Sequence, residues 1–177
     1  MVRQNKRIVA YFSRAGQNYC RGRVLTLEQG NTEVLALAIA DRLQCPAFEI
    51  SPIKAYPKEY YACTDLAKKE LELDLRPAIK EPLPPAEDFE ELILCYPIWW
   101  GTVPMAVKTF LDAYDWEGKR IVCACTHEGS GFGRSLQDLQ ELYPQAQIVK
   151  GLSLQGTMVA KLQEEINRWA ESLNADK

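Results

Sequence analysis

Short apolar runs alternate with longer amphipathic segments along the whole chain, and this alternation predicts an α/β protein. The first run, Arg7 to Phe12, is dense in β-branched and aromatic residues, which is typical of a buried strand. We predict five strands, over residues 7–12, 47–52, 91–96, 119–126 and 146–154. Five helices are predicted between and after them, over residues 33–44, 56–75, 104–114, 134–143 and 158–173.

Strands that alternate with helices indicate a parallel sheet covered by helices on both faces. Right-handed crossovers and a doubly wound arrangement favour the strand order 2-1-3-4-5 over a six-stranded dinucleotide-binding sheet. The 177 residues fit a single domain, 1–177. Ligands of such sheets bind beyond the carboxyl ends of the strands, beside the first strand. The loops after Phe12, Tyr96 and Thr126 are therefore the candidates for a binding site.

Composition narrows the class of protein without changing this fold. The formal net charge of −3 provides no basic field for nucleic acid or an anionic membrane, so we expect neither as a partner. The six cysteines form no CxxC pair and the chain has one histidine, so their spacing does not suit a metal site. We therefore expect no metal, and we expect the cysteines to be reduced residues of the core. The chain begins with polar residues and a strand, with no signal-like segment, which predicts a cytoplasmic protein.

The first loop has polar residues at both of its ends. Its amides at the start of the first helix, with nearby hydroxyl groups, can bind a phosphate without a lysine. The alternative is that Asn31 or Thr32 only caps the helix. The pattern GxxxxGK[ST] is absent, which argues against a nucleoside triphosphate. The candidate residues are Ser13, Ala15, Gly16, Asn18, Gly30, Asn31 and Thr32.

The second loop, YPIWWGTVP over residues 96–104, has two adjacent tryptophans at the end of a strand. Neighbouring side chains of a strand point in opposite directions, so at least one indole should face the ligand. A flat aromatic surface suits a flat aromatic ligand, whereas the alternative is a tryptophan that fills a gap under the loop. Gly101 allows close approach of the backbone to that ligand. The candidates are Pro97, Ile98, Trp99, Trp100 and Gly101.

The third loop, THEGSGFG over residues 126–133, is rich in glycine, and its amides can bind carbonyl or hydroxyl groups of a ligand. Arg134 stands where GxGxxG would need its third glycine, so this is not a dinucleotide motif. His127 is interpreted as a surface or supporting residue, with a charge-stabilising ligand contact as the alternative. The candidates are Thr126, His127, Glu128, Gly129, Ser130 and Gly131.

These segments together resemble the flavodoxin family over nearly the whole chain, from Arg7 to about Leu173. The resemblance rests on the segments YFSRAGQNY, GNTE, YPIWWGTVPMAVKTFL and THEGSGFGRS. It implies a flavodoxin-like doubly wound five-stranded parallel sheet with FMN as cofactor. The second and third loops would hold the isoalloxazine ring of FMN, with Trp100 favoured over Trp99 for stacking on it.

The resemblance also explains the unusual length of the first loop. Flavodoxins hold the FMN phosphate with a compact loop, S/T-x-T-G-x-T. Here Ser13 begins the motif, Ala15 stands where threonine is usual, and Asn31 and Thr32 complete it. An insert of about residues 17–29 divides the two halves, and its closure costs little entropy. We expect Asn18, Tyr19 or Arg14 to replace the hydroxyl group missing at Ala15.

The resemblance implies an electron carrier that exchanges electrons with a redox partner protein or a small-molecule acceptor. An FMN-dependent NAD(P)H reductase of quinones or nitroaromatics is the main alternative, because electron-carrier flavodoxins tend to be more acidic than this chain. A receiver domain of a signalling protein would need a phosphate-accepting aspartate at the end of the third strand, where this chain has Pro97, so this class is excluded. A phosphatase would need an arginine where Thr26 follows Cys20. No catalytic acid or base is predicted.

Overall fold

The computed structural model describes residues 6–175. Its seven strands are β1 Arg7–Tyr11, β2 Gly16–Cys20, β3 Arg23–Leu27, β4 Ala47–Glu49, β5 Glu91–Pro97, β6 Arg120–His127 and β7 Gln147–Gln155. Its five α-helices are α1 Asn31–Leu43, α2 Tyr60–Glu72, α3 Met105–Asp112, α4 Ser135–Leu142 and α5 Gln163–Ala175. Two short 3-10 helices are Ala86–Asp88 and Gly156–Lys161.

Five of the strands form one parallel sheet with the order β4-β1-β5-β6-β7. Without the two strands of the inserted segment, this order is 2-1-3-4-5, so the predicted fold class is confirmed. The strands run in one direction, and their carboxyl ends therefore meet along one edge of the sheet. That edge carries the loops that follow β1, β5 and β6.

The sheet separates two hydrophobic cores, because alternate residues of each strand face opposite sides. In β1, Ile8 and Ala10 belong to one core, and Val9 and Tyr11 belong to the other. The central strand β5 is buried from Glu91 to Tyr96. This two-sided burial fixes the position of the strand ends and therefore of the loops that continue from them.

The insert in the first loop is an antiparallel hairpin, formed by β2 and β3 and separate from the main sheet. Its register pairs Gly16 with Leu27 and Cys20 with Arg23. Arg21 and Gly22 form the tip with φ angles of 50° and 84°, the left-handed geometry of a tight hairpin turn. The sequence analysis predicted an insert here but assigned it no secondary structure.

Two predicted helices differ from the structure by more than two residues at their beginnings. Helix α2 begins at Tyr60 because the Glu59 carboxylate accepts hydrogen bonds from the amides of Tyr61 and Ala62, at 3.1 and 2.6 Å. The predicted start at residue 56 was therefore too early. The segment predicted as one helix over 158–173 is a 3-10 helix followed by α5.

The cysteines behave largely as the sequence analysis expected. All six are unpaired, and Cys45 is partly exposed whereas the other five are buried. Burial raises the pKa of Cys123 to about 12 and that of Cys125 to about 11, which keeps both thiols protonated. Within residues 6–175, no helix is long and apolar enough to cross a membrane.

Candidate functional site

A cavity of about 560 Å³ opens at the carboxyl edge of the sheet, where the loops after β1, β5 and β6 meet. Its remaining walls come from the hairpin, the first turns of α2 and Gly156 at the start of the second 3-10 helix. The predicted site residues that line it are Ser13, Arg14, Asn18, Asn31, Thr32, Pro97, Ile98, Trp99, Trp100, Thr126, His127 and Glu128. The predicted residues that are not among its lining residues are Ala15, Gly16, Gly30, Gly101, Gly129, Ser130 and Gly131.

The two halves of the divided first loop meet at the N-terminus of α1. The Ser13 hydroxyl accepts a hydrogen bond from the Glu33 amide at 3.0 Å, and so caps the helix from outside it. A Cβ atom on Gly30 would lie 2.2 Å from Ser13 Oγ, so only glycine permits this close contact. Within the described chain, the amides of Asn31 and Thr32 have no hydrogen-bond partner and remain available to a ligand.

Three hydroxyl groups stand at this end of the cavity. Thr32 Oγ1 and Thr126 Oγ1 are 2.8 Å apart and both residues are buried. This pair uses one of its two hydroxyl hydrogens, and Ser13 acts only as an acceptor towards Glu33. Two hydroxyl hydrogens therefore remain to donate to an anion beside the helix N-terminus.

Arg14 and Asn18 form part of the wall, but their donors are directed to the backbone. The Arg14 guanidinium donates to the carbonyl oxygens of Pro57 and Lys58, at 2.8 and 2.7 Å through Nη2. The Asn18 side chain donates to the carbonyl oxygens of Arg14 and Gly16 at 3.1 and 3.2 Å. Arg14 thus holds the first loop against the segment before α2, whereas Asn18 makes its hydrogen bonds within the first loop itself. Their predicted role as phosphate donors stays a prediction.

The second loop turns sharply between Trp99 and Thr102, whose backbones exchange hydrogen bonds of 2.9 and 3.1 Å. Trp100 and Gly101 occupy the inner positions with φ angles of 50° and 80°. The Gly101 carbonyl accepts a hydrogen bond of 2.8 Å from the Arg134 amide. A Cβ atom on Gly133 would lie 2.3 Å from that carbonyl oxygen, so the second and third loops pack backbone against backbone.

The two tryptophan side chains diverge, as predicted, although Trp100 lies in the turn after β5 and not on the strand. Trp99 packs edge-on against Phe12 and Tyr56, with ring centroids 5.1 and 5.0 Å apart. Trp100 is 48% exposed, and its indole nitrogen donates to the Thr64 carbonyl at 2.9 Å. The Lys68 ammonium lies 5.4 Å from the centroid of the Trp100 ring. Trp99 therefore joins the cavity to the core, whereas Trp100 extends the wall along α2.

A buried polar pair lies behind Trp99. Tyr56, which contacts the Trp99 ring, donates its hydroxyl hydrogen to the Glu70 carboxylate at 2.5 Å. Glu70 is 7% exposed, and this burial raises the pKa of its carboxyl above the ordinary value of 4.5. The pair fixes the orientation of the Tyr56 ring and, through it, the position of Trp99.

We expect Glu70→Gln to be more stable than the wild type at pH 8, and this gain in stability to be smaller at pH 4. With its pKa raised by folding, Glu70 favours the folded state below its unfolded pKa, and this contribution is lost as pH rises through its folded pKa. Glutamine still accepts from Tyr56 but carries no charge at any pH. Thermal unfolding at both pH values measures the difference, with the exposed Glu72→Gln as control. The expectation would be contradicted if Glu70→Gln raised the melting temperature equally at both pH values, or if Glu72→Gln gave the same increase.

The third loop contributes its first three residues to the cavity. His127 Nδ1 accepts a hydrogen bond from the Gly129 amide at 2.9 Å, and burial lowers the pKa of the imidazole, which favours its neutral form at pH 7. The Glu128 carboxylate accepts from the amides of Arg21 and Thr157 at 3.2 and 3.1 Å. Glu128 therefore links the hairpin tip to the 3-10 helix that follows β7.

The residues that sequence reasoning missed come mainly from α2 and the hairpin. The signal in the sequence was the pair Tyr60-Tyr61 at the start of a helix that follows a strand of the parallel sheet. The ring of Tyr60 stacks on that of Tyr19 with centroids 6.2 Å apart. The additional lining residues that were not assigned to the site are Tyr19, Tyr60, Tyr61, Cys63, Thr64, Asp65, Ala67 and Gly156. Of these, Tyr19 had been considered only as a substitute phosphate donor.

The sequence profile of the family described as flavodoxin matches residues 6–173. The chain belongs to the flavodoxin family. A search of curated protein sequences gave no significant match. Within the residues that the structure describes, no group of three or more His, Cys, Asp or Glu side chains could hold a metal ion.

Solved structures of flavoproteins share the fold of this flavodoxin. A flavoprotein of Bacteroides eggerthii is 23% identical, with a TM-score of 0.69 and coverage of 90% of this chain and 96% of its own. A flavoprotein of Bacteroides uniformis is 22% identical, with a TM-score of 0.68 and coverage of 94% and 98%. The flavoprotein of Lactobacillus acidophilus NCFM, solved in complex with FMN, is 17% identical, with a TM-score of 0.66 and coverage of 89% and 97%.

Proposed function

We propose that this flavodoxin binds FMN and carries electrons between redox partners. The observation that carries the proposal is one cavity with two chemically different ends. One end has the free amides of Asn31 and Thr32 with hydroxyl donors, and the other has the indoles of Trp99 and Trp100. Membership of the flavodoxin family supports FMN as the cofactor, and so does the FMN complex of the Lactobacillus acidophilus relative.

The residues present fit the two parts of FMN. The cavity volume of about 560 Å³ lies in the range of small-molecule sites. In this proposal Ser13, Asn31 and Thr32 hold the phosphate, because unpaired amides at a helix N-terminus favour an anion. The indoles and the backbone of Pro97 and Ile98 hold the isoalloxazine ring.

FMN supplies the redox chemistry when it is bound, and the chain sets its surroundings. The aromatic walls exclude water from one face of the ring, and Glu128 adds a negative charge near the cavity. Both effects disfavour additional negative charge on a reduced ring, since burial and a like charge each penalise an anion. Neither effect requires a catalytic acid or base.

We expect Ser13→Ala and Thr32→Ala each to weaken FMN binding more than riboflavin binding. A hydrogen bond to a charged phosphate contributes about 1.5–3 kcal/mol to the binding of FMN. Riboflavin lacks the phosphate, so the substitution removes no such bond from its complex. Titration of each apoprotein with both ligands measures the difference. Ser13→Ala also removes the cap on the Glu33 amide, so its thermal stability should fall as well. Equal losses for FMN and riboflavin would place the phosphate elsewhere.

An FMN-dependent NAD(P)H reductase is the second candidate function. The cavity wall continues along α2 past Cys63 to Ala67, and in this second proposal the nicotinamide donor would bind against that wall. Anaerobic stopped-flow mixing of the FMN-loaded protein with NADH or NADPH separates the two functions. Rapid bleaching of the flavin would support the reductase, whereas a carrier would remain oxidised until a reduced protein partner is added.

The cellular setting proposed for this function is the cytoplasm. Six unpaired cysteines suit a reducing compartment, because secreted proteins of oxidising compartments use cysteines as disulfides. The redox partner is either a protein or a small-molecule acceptor, with nucleic acid and membranes not expected as partners. Of these two kinds of partner, the inserted hairpin favours a protein, for the reasons given in the next subsection.

A further inference from the structure

The inserted hairpin gives a mildly acidic chain a local positive charge. From Ser13 to Leu27 the sequence contains three arginines and no acidic residue, in a chain of net charge −3. Arg14 is directed to backbone carbonyls, whereas Arg21 and Arg23 are both exposed, with the Arg21 guanidinium donating to the Met158 sulfur at 2.7 Å. Within residues 6–175, the Arg23 guanidinium has no hydrogen-bond or ion-pair partner. Two positive charges therefore stand next to the strand that supplies Tyr19 to the cavity wall.

Exposed apolar side chains accompany these charges. Tyr19 of the hairpin is 44% exposed, and Tyr61 at the start of α2 is 66% exposed. Trp100, also exposed, closes the same cavity from the second loop. Aromatic residues combined with arginine are the residues enriched at protein interfaces, and exposed apolar clusters commonly mark binding surfaces.

The hairpin is held in place at its base and at its tip. At the base, Gln17 donates its amide to the Lys58 carbonyl at 2.9 Å and accepts from the Tyr60 amide at 3.0 Å through its side chain. At the tip, the Arg21 amide donates to Glu128 at 3.2 Å. A surface fixed at both ends loses little conformational entropy when a partner binds, which favours docking.

We propose that the hairpin and the cavity mouth form the docking surface for an acidic redox protein. We define this surface as Tyr19 and Tyr61 together with the two arginines at the hairpin tip, Arg21 and Arg23. Positive charge at the rim attracts a partner whose carboxylates surround its own redox centre, and it orients that centre towards the cavity. This inference rests on the proposed function, because electrons pass to or from FMN only if the cavity holds it.

Electron transfer at this surface is a simple exchange. A reduced [2Fe–2S] ferredoxin, used as an acidic probe, gives up one electron from its cluster. Two ferredoxin molecules are therefore oxidised for each FMN that is reduced by two electrons, and protons are taken from solvent. No further reactant is needed.

The test compares the FMN-loaded wild type with Arg21→Gln/Arg23→Gln. Glutamine removes both charges without placing a new carboxylate beside Glu128. The matched control is Lys150→Gln/Arg168→Gln, which makes the same charge change on β7 and α5, elements that contribute nothing to the cavity lining. FMN content, dithionite reduction and thermal stability are measured first for all three proteins, and these should be alike.

Two readouts follow, the dissociation constant for oxidised ferredoxin and the second-order rate of FMN reduction by reduced ferredoxin. At about 10 mM ionic strength, we expect the hairpin variant to have a dissociation constant at least about fivefold higher, and a rate constant at least about fivefold lower, than the wild type. Both constants of the control should change less than about twofold. At about 500 mM, the three proteins should converge because salt screens the attraction.

Three outcomes would overturn the inference while FMN still binds. The hairpin variant could match the wild type at low ionic strength, or the control could lose as much as the hairpin variant. Alternatively, the hairpin variant could lose its reactivity with NADPH but not with ferredoxin, in which case the arginines bind a small anionic donor. Failure of FMN to bind or to be reduced by dithionite would instead contradict the proposed function.

Discussion

Trp99→Ala is expected to lower the free energy of unfolding by about 2–4 kcal/mol, because it opens a gap between Phe12, Tyr56 and the cavity. For a chain of this size the melting temperature should fall by roughly 5–15 °C. Trp100→Ala should cost less than about 1 kcal/mol, since the side chain is 48% exposed and makes one hydrogen bond, to Thr64. Thermal and urea unfolding of both apoproteins measure this contrast.

The same two variants should differ in the opposite sense towards FMN. We expect Trp100→Ala to weaken FMN binding by about 1–3 kcal/mol and to restore fluorescence of the bound flavin, because a stacked indole quenches it. Water entering the gap should also raise the potential of the second reduction step. Trp100→Phe keeps an aromatic ring and serves as the conservative control. If neither alanine variant restores emission, the flavin does not lie against this pair.

Gly30→Ala is expected to weaken FMN binding at least about tenfold, which corresponds to about 1.4 kcal/mol. The φ angle of Gly30 is −69°, so alanine suits the backbone, and the effect comes from contact alone. The new Cβ atom would lie 2.2 Å from Ser13 Oγ and 2.8 Å from the Arg14 carbonyl oxygen, which forces the two halves of the first loop apart.

Riboflavin binding separates this effect from a general loss of folding. Because riboflavin lacks the phosphate, Gly30→Ala should weaken riboflavin binding less than it weakens FMN binding. Gln29→Ala changes the exposed neighbouring residue and should leave both affinities near those of the wild type. An unchanged FMN affinity in Gly30→Ala would show that the contact between Ser13 and Gly30 does not form the phosphate site.

The periodicity of the sequence was sufficient for the main sheet, because burial on both faces leaves a strong apolar signal in strands such as β5. The two strands of the hairpin were not predicted, since they are half-exposed and alternate weakly between apolar and polar residues. Its turn also has Arg21 at a left-handed position, where asparagine, aspartate or glycine gives the usual signal.

Local motifs predicted the ends of the cavity but not its middle. Hydroxyl groups at a helix start and a tryptophan pair at a strand end have direct chemical meanings, and both line the cavity. The contribution of Tyr60 and Cys63 depends on how α2 packs beside the hairpin, a contact between segments about 40 residues apart. The engagement of Arg14 with the Pro57 carbonyl depends on the same contact and could not be read from either segment alone.

Titration of the apoprotein with FMN, FAD and riboflavin tests the central claim most directly. The described cavity has one helix N-terminus that can take a phosphate, at Asn31 and Thr32. We therefore predict that one FMN binds per chain, more tightly than riboflavin because of the phosphate and more tightly than FAD because of its additional nucleotide. Flavin fluorescence should be quenched on binding. An apoprotein that binds no FMN, or that binds FAD more tightly than FMN, would contradict the account.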